Sequence, residues 1–544
     1  MSTIYPPDAG IMAAGMRSES PENPVVPLST LAGALGLSSL TGNPLITGIA
    51  YDSRQVQPGN LFVALPGIST DGHVFIPQAV QRGAVAIAGT QRLAGLAVPY
   101  LHVDDSRQAL ANLSAAFYDY PARRMTIIGI TGTDGKTTTA NLLYHILRHA
   151  GVQVGLVSTV NAIVGDQTLD TGFHVTTPEA PDVQRYLANM ASAGLTHAIL
   201  EVTSHGLASQ RVAACDFDIG IVTNITHEHL DFHGSLAAYR EAKLRLFTML
   251  ESTPHKAFLP PRAAVLNRDD SSYEYLAPIP RQVARLAYGL HLESQVRATQ
   301  IDYRPDGMRF MVHFALPDRS EIDLPVTTPL VGAYNISNCL AALTAAVAVL
   351  GVDPLAARQA IASFPGVPGR MQRVDVGQDF TAIVDFAHTP NALRSVLAAA
   401  RQLVAPSGRV IAIFGSAGLR DREKRHLMAQ VSAELADLTV LTAEDPRTES
   451  LEAILDEMAS EMVRQGAIDG ENFWRVPDRG ESMRFAVRLA RPDDILLACG
   501  KGHEQSMCFG EIEYPWDDRV ALQAALSELL GLPGPAMPYL PTSS

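Results

Sequence analysis

The sequence predicts an α/β protein whose sheets are mainly parallel. Three observations lead there. Short apolar runs, among them MTIIGI at 125–130, HAILEV at 197–202 and DIGIVTNI at 218–225, alternate with longer helical segments. That is the pattern of repeated strand–helix units whose strands are covered on both faces. Glycines crowd the junction between the first of these runs and the helix after it. The chain has 544 residues, and at roughly 150 residues per domain there is room for three or four domains.

Taken in order, residues 1–25 are rich in Pro, Ser and Gly and read as a loose tail, with Met12 or Met16 as alternative starts. No basic segment leads into an apolar run there, so no secretory signal is predicted. Residues 26–122 form a first block. ITGIAYDSRQVQPGNLFVAL holds a strand, a Pro-Gly turn and a second strand, and AVQRGAVAIAG a helix and then a strand. A second block, 123–365, opens on the 125–130 strand. The helix Thr137–Ala150 follows, with Gly151 as its C-terminal cap. Residues 296–330 alternate apolar and polar, which predicts an antiparallel insertion. The Pro/Gly-rich stretch at 364–369 leads into a third block, 366–544, with strands in TAIVDFA, RVIAIFG, LTVLTAED and DDILLACG. The longest apolar stretch, Leu340–Val352, is too short to span a bilayer. A soluble, cytoplasmic and monomeric protein is expected.

Hydrophobic residues make up 47% and charged residues 18%, which excludes global disorder. The formal charge of −14 makes the chain a poor non-specific binder of nucleic acid or anionic membrane. Any anionic ligand must be held by local donors. Cys215, Cys339, Cys499 and Cys508 form no CxxC pair, so neither a structural zinc site nor a disulfide framework is predicted.

The strongest local signal is Gly129-Ile-Thr-Gly132-Thr133-Asp134-Gly135-Lys136-Thr137-Thr138, after a buried strand and at the start of a helix. Glycines let backbone N–H groups curl around phosphate oxygens, and the helix N-terminus adds partial positive charge. Lys136 suits the β- and γ-phosphates and the Thr137 hydroxyl suits Mg²⁺. Ile130 stands where the strict phosphate-loop pattern has its first glycine.

Glu201 and His205 fall at the end of an apolar strand, the edge where open parallel sheets bind ligands. His227, His229, Asp231 and His233 cluster after the next strand. Zinc, Mg²⁺ and a solvated polar loop are all open readings. Beside a phosphate loop, Mg²⁺ with oxygen ligands and one imidazole is favoured. Lys243 lies on a helix beyond the cluster, where a lysine is ordinarily a solvated charge.

Separated segments together resemble one family, the Mur ligases that build the peptidoglycan stem peptide, and among them the tripeptide-synthetase branch. They are DSRQVQPGNLFVAL, GITGTDGKTTT, TTPEAPDVQ, EVTSHGL, TNITHEHLDFHG, AYREAKLRLF, YNISNCLAA, PGRMQRV, VDFAHTPNAL, FGSAGLRDREKR, EDPRTE and GKGHE, from about residue 45 to 520. The resemblance implies three domains: one for the UDP end of the substrate, a central P-loop ATPase domain, and a C-terminal doubly wound, Rossmann-like domain for the incoming amino acid. It implies an ATP-dependent ligase that adds a diamino acid to UDP-MurNAc-L-Ala-D-Glu through an acyl phosphate. By the same resemblance Gly132, Thr133, Asp134, Gly135, Lys136, Thr137 and Thr138 hold ATP, and Asn335 and Asn338 match adenine-side residues. Arg370 and Asp385 close on phosphate and ribose, and His388 belongs to the same motif. Thr137 and Glu201 match ligands of one Mg²⁺ and His229 of a second. Lys243 matches a lysine that takes up CO₂ as a carbamate, which would turn a cation into an anionic metal ligand. Tyr51, Ser53 and the Ile68–Ser69–Thr70 turn match the uridine and pyrophosphate site. Thr176, Thr177, Thr203 and Arg211 match contacts to sugar and dipeptide. Ser209 stands where relatives often carry Gln.

Arg420, Glu444, Asp445, Pro446, Arg447, Gly500 and Glu504 match the pocket for the third residue. Relatives that add meso-diaminopimelate usually carry Asp-Asn-Pro-Arg where this chain has Glu444-Asp445-Pro446-Arg447. Arg447 can fork onto a distal carboxylate, whereas the Asp445 anion favours a distal ammonium. meso-Diaminopimelate is expected, with L-lysine and L-ornithine as alternatives. Asp134 stands where the loop usually has Asn. Two other readings are a related carboxylate–amine ligase, such as a folate polyglutamate synthase, and a nucleotide-binding homologue without catalysis. The DSR segment and the EDPR/GKGHE pair speak against the first, and intact Lys136, Thr137, Glu201, His229 and Lys243 against the second.

Overall fold

The computed structural model describes residues 24–67, 70–169, 177–226, 230–279, 281–304, 306–315 and 320–542. The chain divides into two units, Met1–Tyr118 and Asp119–Ser544. In the first, four parallel strands lie in the order Gly48–Ala50, Asn60–Val63, Ala86–Gly89 and Tyr100–His102. The two middle strands are wholly buried, as the uninterrupted apolar runs predict. The Pro58-Gly59 turn needs its glycine, because Gly59 has φ +90° and a Cβ there would lie 2.4 Å from Thr47 Oγ1. Asp105 opens the helix Ser106–Phe117 by accepting from the N–H groups of Arg107 and Gln108.

The second unit holds two large sheets. The larger has eleven strands among the described residues. From one edge they run Gln167–Leu169, Ala162–Val164, Val154–Val157, His197–Glu201, Thr126–Thr131, Ile219–Val222, Ala263–Asn267, Ala284–Gly289, Val296–Arg304, Gly307–Ala315 and Glu321–Thr328. Strands Val154–Val157 to Val296–Arg304 pair in parallel. The stretch read as an antiparallel insertion is an antiparallel meander that continues this sheet, joined to it by Tyr288 pairing with Val296. It alternates because one face, with Phe310, Val312, Leu324 and Val326, packs into the core shared with Ala357 and Ile361. The helix after the glycine-rich junction runs Lys136–His149, and Gly151 takes the left-handed conformation (φ +78°) just beyond it. Leu340–Val352 is core: the helix Tyr334–Leu343 passes into a π-helical turn, Thr344–Val349. No helix among the described residues is long and apolar enough to cross a membrane.

The other sheet has the order Gln372–Val374, Thr381–Asp385, Ile495–Cys499, Val410–Phe414, Leu438–Leu441, Phe473–Arg475, and all but the first strand are parallel. Helices Pro390–Leu403, Glu423–Leu435 and Leu451–Arg464 cover one face. Arg479–Leu489 and Asp518–Leu530 cover the other, so this sheet is doubly wound. Its two edge strands and the hairpin Ser506–Phe509/Ile512–Pro515 are short and partly exposed, and no apolar run announces them.

One buried ion pair ties the larger sheet to the loop after helix Leu236–Ser252. Lys256 and Asp218 are both 1% exposed at the side chain. Lys256 also donates to Met125 O (2.8 Å), and Asp218 accepts from Ile127 N (2.8 Å). Burial pushes the Asp218 carboxyl up and the Lys256 ammonium down, so each depends on the other to stay charged. Lys256→Met strands the carboxylate and should cost about 3 kcal/mol, read as a lowered denaturant midpoint for the second unit.

Candidate active site

The phosphate loop leaves the strand Thr126–Thr131, which lies between His197–Glu201 and Ile219–Val222. The ends of all three strands therefore converge at one carboxyl edge. The loop is pinned from the side. Thr133 N donates to Asn224 O (2.7 Å) and Asp134 N to Asn224 Oδ1 (3.0 Å). Asp134 O accepts from Thr223 Oγ1 (2.6 Å) and Asn224 Nδ2 (3.1 Å). A Cβ on Gly132 would lie 1.8 Å from Thr223 Oγ1, and one on Gly135 would lie 2.3 Å from Asn338 Oδ1. Lys136 Nζ donates to Thr133 O (2.7 Å).

Thr137, first among the helix hydroxyls, donates to Glu201 Oε1 (2.9 Å), and Thr159 N donates to Glu201 Oε2 (3.0 Å). Thr137 is 4% and Glu201 2% exposed. A hydroxyl and a carboxylate so placed are hard oxygen donors suited to Mg²⁺. Lys243 is not a solvated charge. It is buried, its Nζ donates to Gly132 O (2.5 Å), and it stands 4.6 Å from the Tyr239 ring centroid. The structure thus brings Lys136, Thr137, Glu201 and Lys243 around one loop.

Beside Glu201, Thr177 Oγ1 shares a hydrogen bond with Thr203 Oγ1 (3.0 Å). Arg211 donates to Thr177 O (2.8 Å) and pairs with Glu179 (2.8 Å). Thr203 caps the short helix Ser204–Ala208 and Ser209 ends it. Asn335 donates to Val331 O (2.7 Å) and Asn338 to Asn335 Oδ1 (2.8 Å). Both amides are buried, with Asn338 against the phosphate loop at Gly135. Arg370 reaches the same place from the other sheet. Its Nη2 lies 3.5 Å from Thr137 Oγ1, and its guanidinium sits 4.5 Å from the Phe386 ring centroid. Asp385, at the end of strand Thr381–Asp385, accepts from Met371 N and Ala387 N (2.7 Å each). Burial raises its pKa against the pull of Arg370. His388 packs on Phe386 at 4.4 Å.

The pocket residues of the third block meet at the carboxyl edge of the doubly wound sheet. Glu444–Arg447 follow strand Leu438–Leu441, Gly500–Glu504 follow Ile495–Cys499, and Arg420 follows Val410–Phe414. Asp445 and Arg447 both have positive φ (38° and 54°). Asp445 Oδ1 accepts from Lys501 Nζ and from Cys508 N (2.9 Å each), and Lys501 also pairs with Glu504 (2.6 Å). Burial works against the Lys501 charge, but Glu504 and Asp445 hold its pKa above the ordinary value. Gly418 N donates to Asp445 O (3.0 Å), docking the Arg420 loop on the same turn. Glu444 Oε2 is buried without a hydrogen-bond partner, and burial pushes the carboxyl up to about 7.

In the first unit Tyr51 follows strand Gly48–Ala50 and Thr70 lies in the turn after its parallel neighbour, Asn60–Val63. Both are at the carboxyl edge of that sheet. Ser53 Oγ donates to Gln78 Oε1 (2.8 Å). Ile68, Ser69, Thr176 and His229, with residues 1–23 of the tail, lie outside the described residues.

Three family models cover most of the chain: the Mur ligase family catalytic domain at 45–118, the Mur ligase middle domain at 130–346, and the Mur ligase glutamate ligase domain at 369–502. A UDP-N-acetylmuramyl-tripeptide synthetase of Roseiflexus sp. (strain RS-1) is 43% identical over 503 residues, 90% of this chain and 96% of that protein. The UDP-N-acetylmuramoyl-L-alanyl-D-glutamate–2,6-diaminopimelate ligase of Geobacillus thermodenitrificans is 40% identical over 492 residues, again 90% and 96%. A solved structure of a ligase of that second name matches with a TM-score of 0.61 at 31% identity, covering 89% of this chain and 95% of the other. The chain belongs to the Mur ligase family.

Within this Mur ligase, the loop's side supports were not read from the sequence. Thr223 and Asn224 stand in the quoted segment TNITHEHLDFHG, at the end of the strand next to the phosphate-loop strand, and that position is their signal. Lys501 likewise stands in GKGHE, but its partner Asp445 is 56 positions away. Among the described residues no three His, Cys, Asp or Glu side chains gather as a metal-binding group.

Glu444 gives a pH test. Above its ordinary 4.5 the unfolded carboxyl ionises, while the folded one stays protonated up to about 7. The folded state holds the extra proton in that window, so stability from this group falls as pH rises through it. Glu444→Gln removes that fall. Its thermal midpoint relative to wild type should climb steadily between pH 4.5 and 7.

Proposed function

We propose that this Mur ligase joins the amino group of a diamino acid, meso-diaminopimelate, to the free γ-carboxylate of D-Glu in UDP-MurNAc-L-Ala-D-Glu, using ATP in the cytoplasm. The observation that carries the reading is the gathering of Lys136, Thr137, Glu201 and Lys243 around the Gly132–Thr137 loop. The names of the relatives supply the substrate class.

In this reading the first unit binds the UDP end through Tyr51, Ser53 and the turn at Thr70. Thr177, Thr203 and Arg211 hold the sugar and dipeptide, whose carboxylates suit one guanidinium. The loop N–H groups and Lys136 hold the ATP phosphates. The γ-phosphoryl group passes to the D-Glu γ-carboxylate, giving an acyl phosphate and ADP. The amine attacks the acyl carbon, and phosphate leaves. Lys136 and Arg370 face the charge that builds on the transferred group. Thr137 and Glu201 would hold Mg²⁺, with His229 on a second ion and Lys243 contributing as a carbamate. Bound there, Mg²⁺ supplies charge neutralisation for the transferring phosphoryl group.

meso-Diaminopimelate is favoured over L-lysine and L-ornithine by what Asp445 touches. Its carboxylate oxygen Oδ1 is already engaged by Lys501 and the Cys508 N–H, donors of the protein itself. Arg447 then stands as a donor for a distal carboxylate.

Purified protein with ATP, Mg²⁺ and UDP-MurNAc-L-Ala-D-Glu, offered each of the three amino acids separately, should give one tripeptide product by mass spectrometry, with meso-diaminopimelate. Measured ATP binding without product from any amine would overturn the ligase reading. The carbamate has its own readout. ¹³C-labelled bicarbonate should add one carbamate carbon signal to the wild-type NMR spectrum, absent from Lys243→Arg, and that variant should lose at least roughly 100-fold in kcat.

A further inference from the structure

Arg479 takes no direct part in the chemistry proposed above and is completely buried. It begins the helix Arg479–Leu489, on the face of the doubly wound sheet away from helices Pro390–Leu403 and Glu423–Leu435. Four of its five guanidinium N–H groups are hydrogen-bonded. Nε and Nη2 donate to Asp518 Oδ1 (2.7 Å) and Oδ2 (2.6 Å). Nη1 donates to Ala443 O (3.0 Å) and Nη2 to Cys499 O (2.8 Å). Asp518 is also completely buried and takes a further hydrogen bond from Trp516 Nε1 (2.8 Å).

The two carbonyls are the point. Ala443 immediately precedes Glu444-Asp445-Pro446-Arg447, and Cys499 immediately precedes the Gly500–Glu504 loop. Those are the two segments assigned to the third-residue pocket. We infer that Arg479, oriented by Asp518, is a positioning residue that sets the spacing of the two pocket loops and thereby governs the fit of the incoming amino acid. This rests on the ligase reading.

Two physical arguments support it. A buried ion pair is weak evidence for stability, because well-packed apolar residues of the same volume often do as well or better. A planar guanidinium, by contrast, offers donors at fixed separations and so fixes the separation of its acceptors. Here it bridges the roots of both loops, while Lys501 joins them again through Asp445, two positions further along each. The loops are tied at two levels, and only the lower tie lies wholly outside the pocket. The helix carrying Arg479 is itself anchored. Asp478 caps it through Glu481 N and accepts from Thr542 Oγ1 (2.8 Å), next to the buried Leu540.

The test is Arg479→Lys in the full-length protein. Lysine keeps the charge opposite Asp518 but cannot reach both carbonyls at once. The KM for the amino acid should rise roughly 10- to 100-fold, while the KM values for ATP and the UDP-dipeptide stay within about twofold. Amide hydrogen exchange should speed up at 443–447 and 499–504 together. Equal rises in all three KM values, or loss confined to kcat, would mark a general structural role and overturn the inference. If Arg479→Lys does not fold, Trp516→Phe frees Asp518 of one donor and leaves the guanidinium in place. The amino acid KM should then rise roughly 3-fold, and an unchanged KM overturns the inference. If wild-type protein ligates no amine, the ligase reading is what fails, and the exchange measurement alone decides whether Arg479 holds the two loops.

Discussion

The closeness of the phosphate loop to the end of the neighbouring strand is the constraint on which the site depends. Gly132 (φ +150°) and Gly135 (φ +83°) sit where any Cβ would collide, the first with Thr223 and the second with Asn338. With no side chain in the way, the loop backbone reaches Thr223 and Asn224 and spends its N–H and C=O groups of residues 133–134 on them. That fixes where Lys136 and Thr137 begin the helix. It also leaves Gly132 O turned toward Lys243, a buried ammonium that needs an acceptor. Glu201 falls into place because its strand is the parallel neighbour on the other side. The site is therefore an outcome of strand order and two missing methyl groups.

Charge is arranged locally throughout. The chain as a whole repels anions, at a net −14, yet Lys136 and Arg370 both point at one loop. Short-range donors outweigh a diffuse field because solvent screens surface charges beyond about 8 Å at physiological salt. The pocket of the doubly wound sheet is balanced in the same way. Lys501 pairs with both Asp445 and Glu504 and offsets one of their two charges, and Glu444 avoids charge at acidic pH because burial raises its pKa. Close by, His503 is kept neutral by burial and by the cations Arg370, Arg519 and Lys501, its pKa pushed down to about 3.

Much of this was legible in the sequence, and the reasons differ from residue to residue. The strand Thr126–Thr131 and its helix could be read because apolar runs, glycines and periodicity are local signals, and the first strand residues, turn and helix end fell within a position or two. Thr137 and Glu201 could each be placed at the ligand-binding edge because each ends or follows a buried strand, but only the family resemblance paired them. Lys243 could not be placed by its own helix, whose charged neighbours suggest solvent. Its burial comes from Gly132 in another element, and only the family resemblance anticipated it. Asp445 looked like a free anion because its partner, Lys501, is 56 positions on, in the loop after a strand two places away in the sheet. Arg479 carried no motif at all: what it does depends on two carbonyl groups, and backbone carbonyls leave no trace in a sequence.

The linker between the two sheets of the second unit touches both the Gly132–Thr137 loop's helix start and the segment proposed to hold the amine. Gly369 has φ +65°, and a Cβ there would lie 2.1 Å from Gly502 C and 2.2 Å from His503 N. The linker is thus seated directly on the loop that carries Lys501 and Glu504. The next residue, Arg370, lies over Phe386 and reaches Thr137, while Phe386 packs on His503 at 4.8 Å. A side chain at 369 would therefore have to displace the 500–504 loop, so the linker crosses that loop only as glycine. The segment proposed to hold the amine and the guanidinium proposed to face the phosphates therefore meet at one two-residue stretch, Gly369-Arg370.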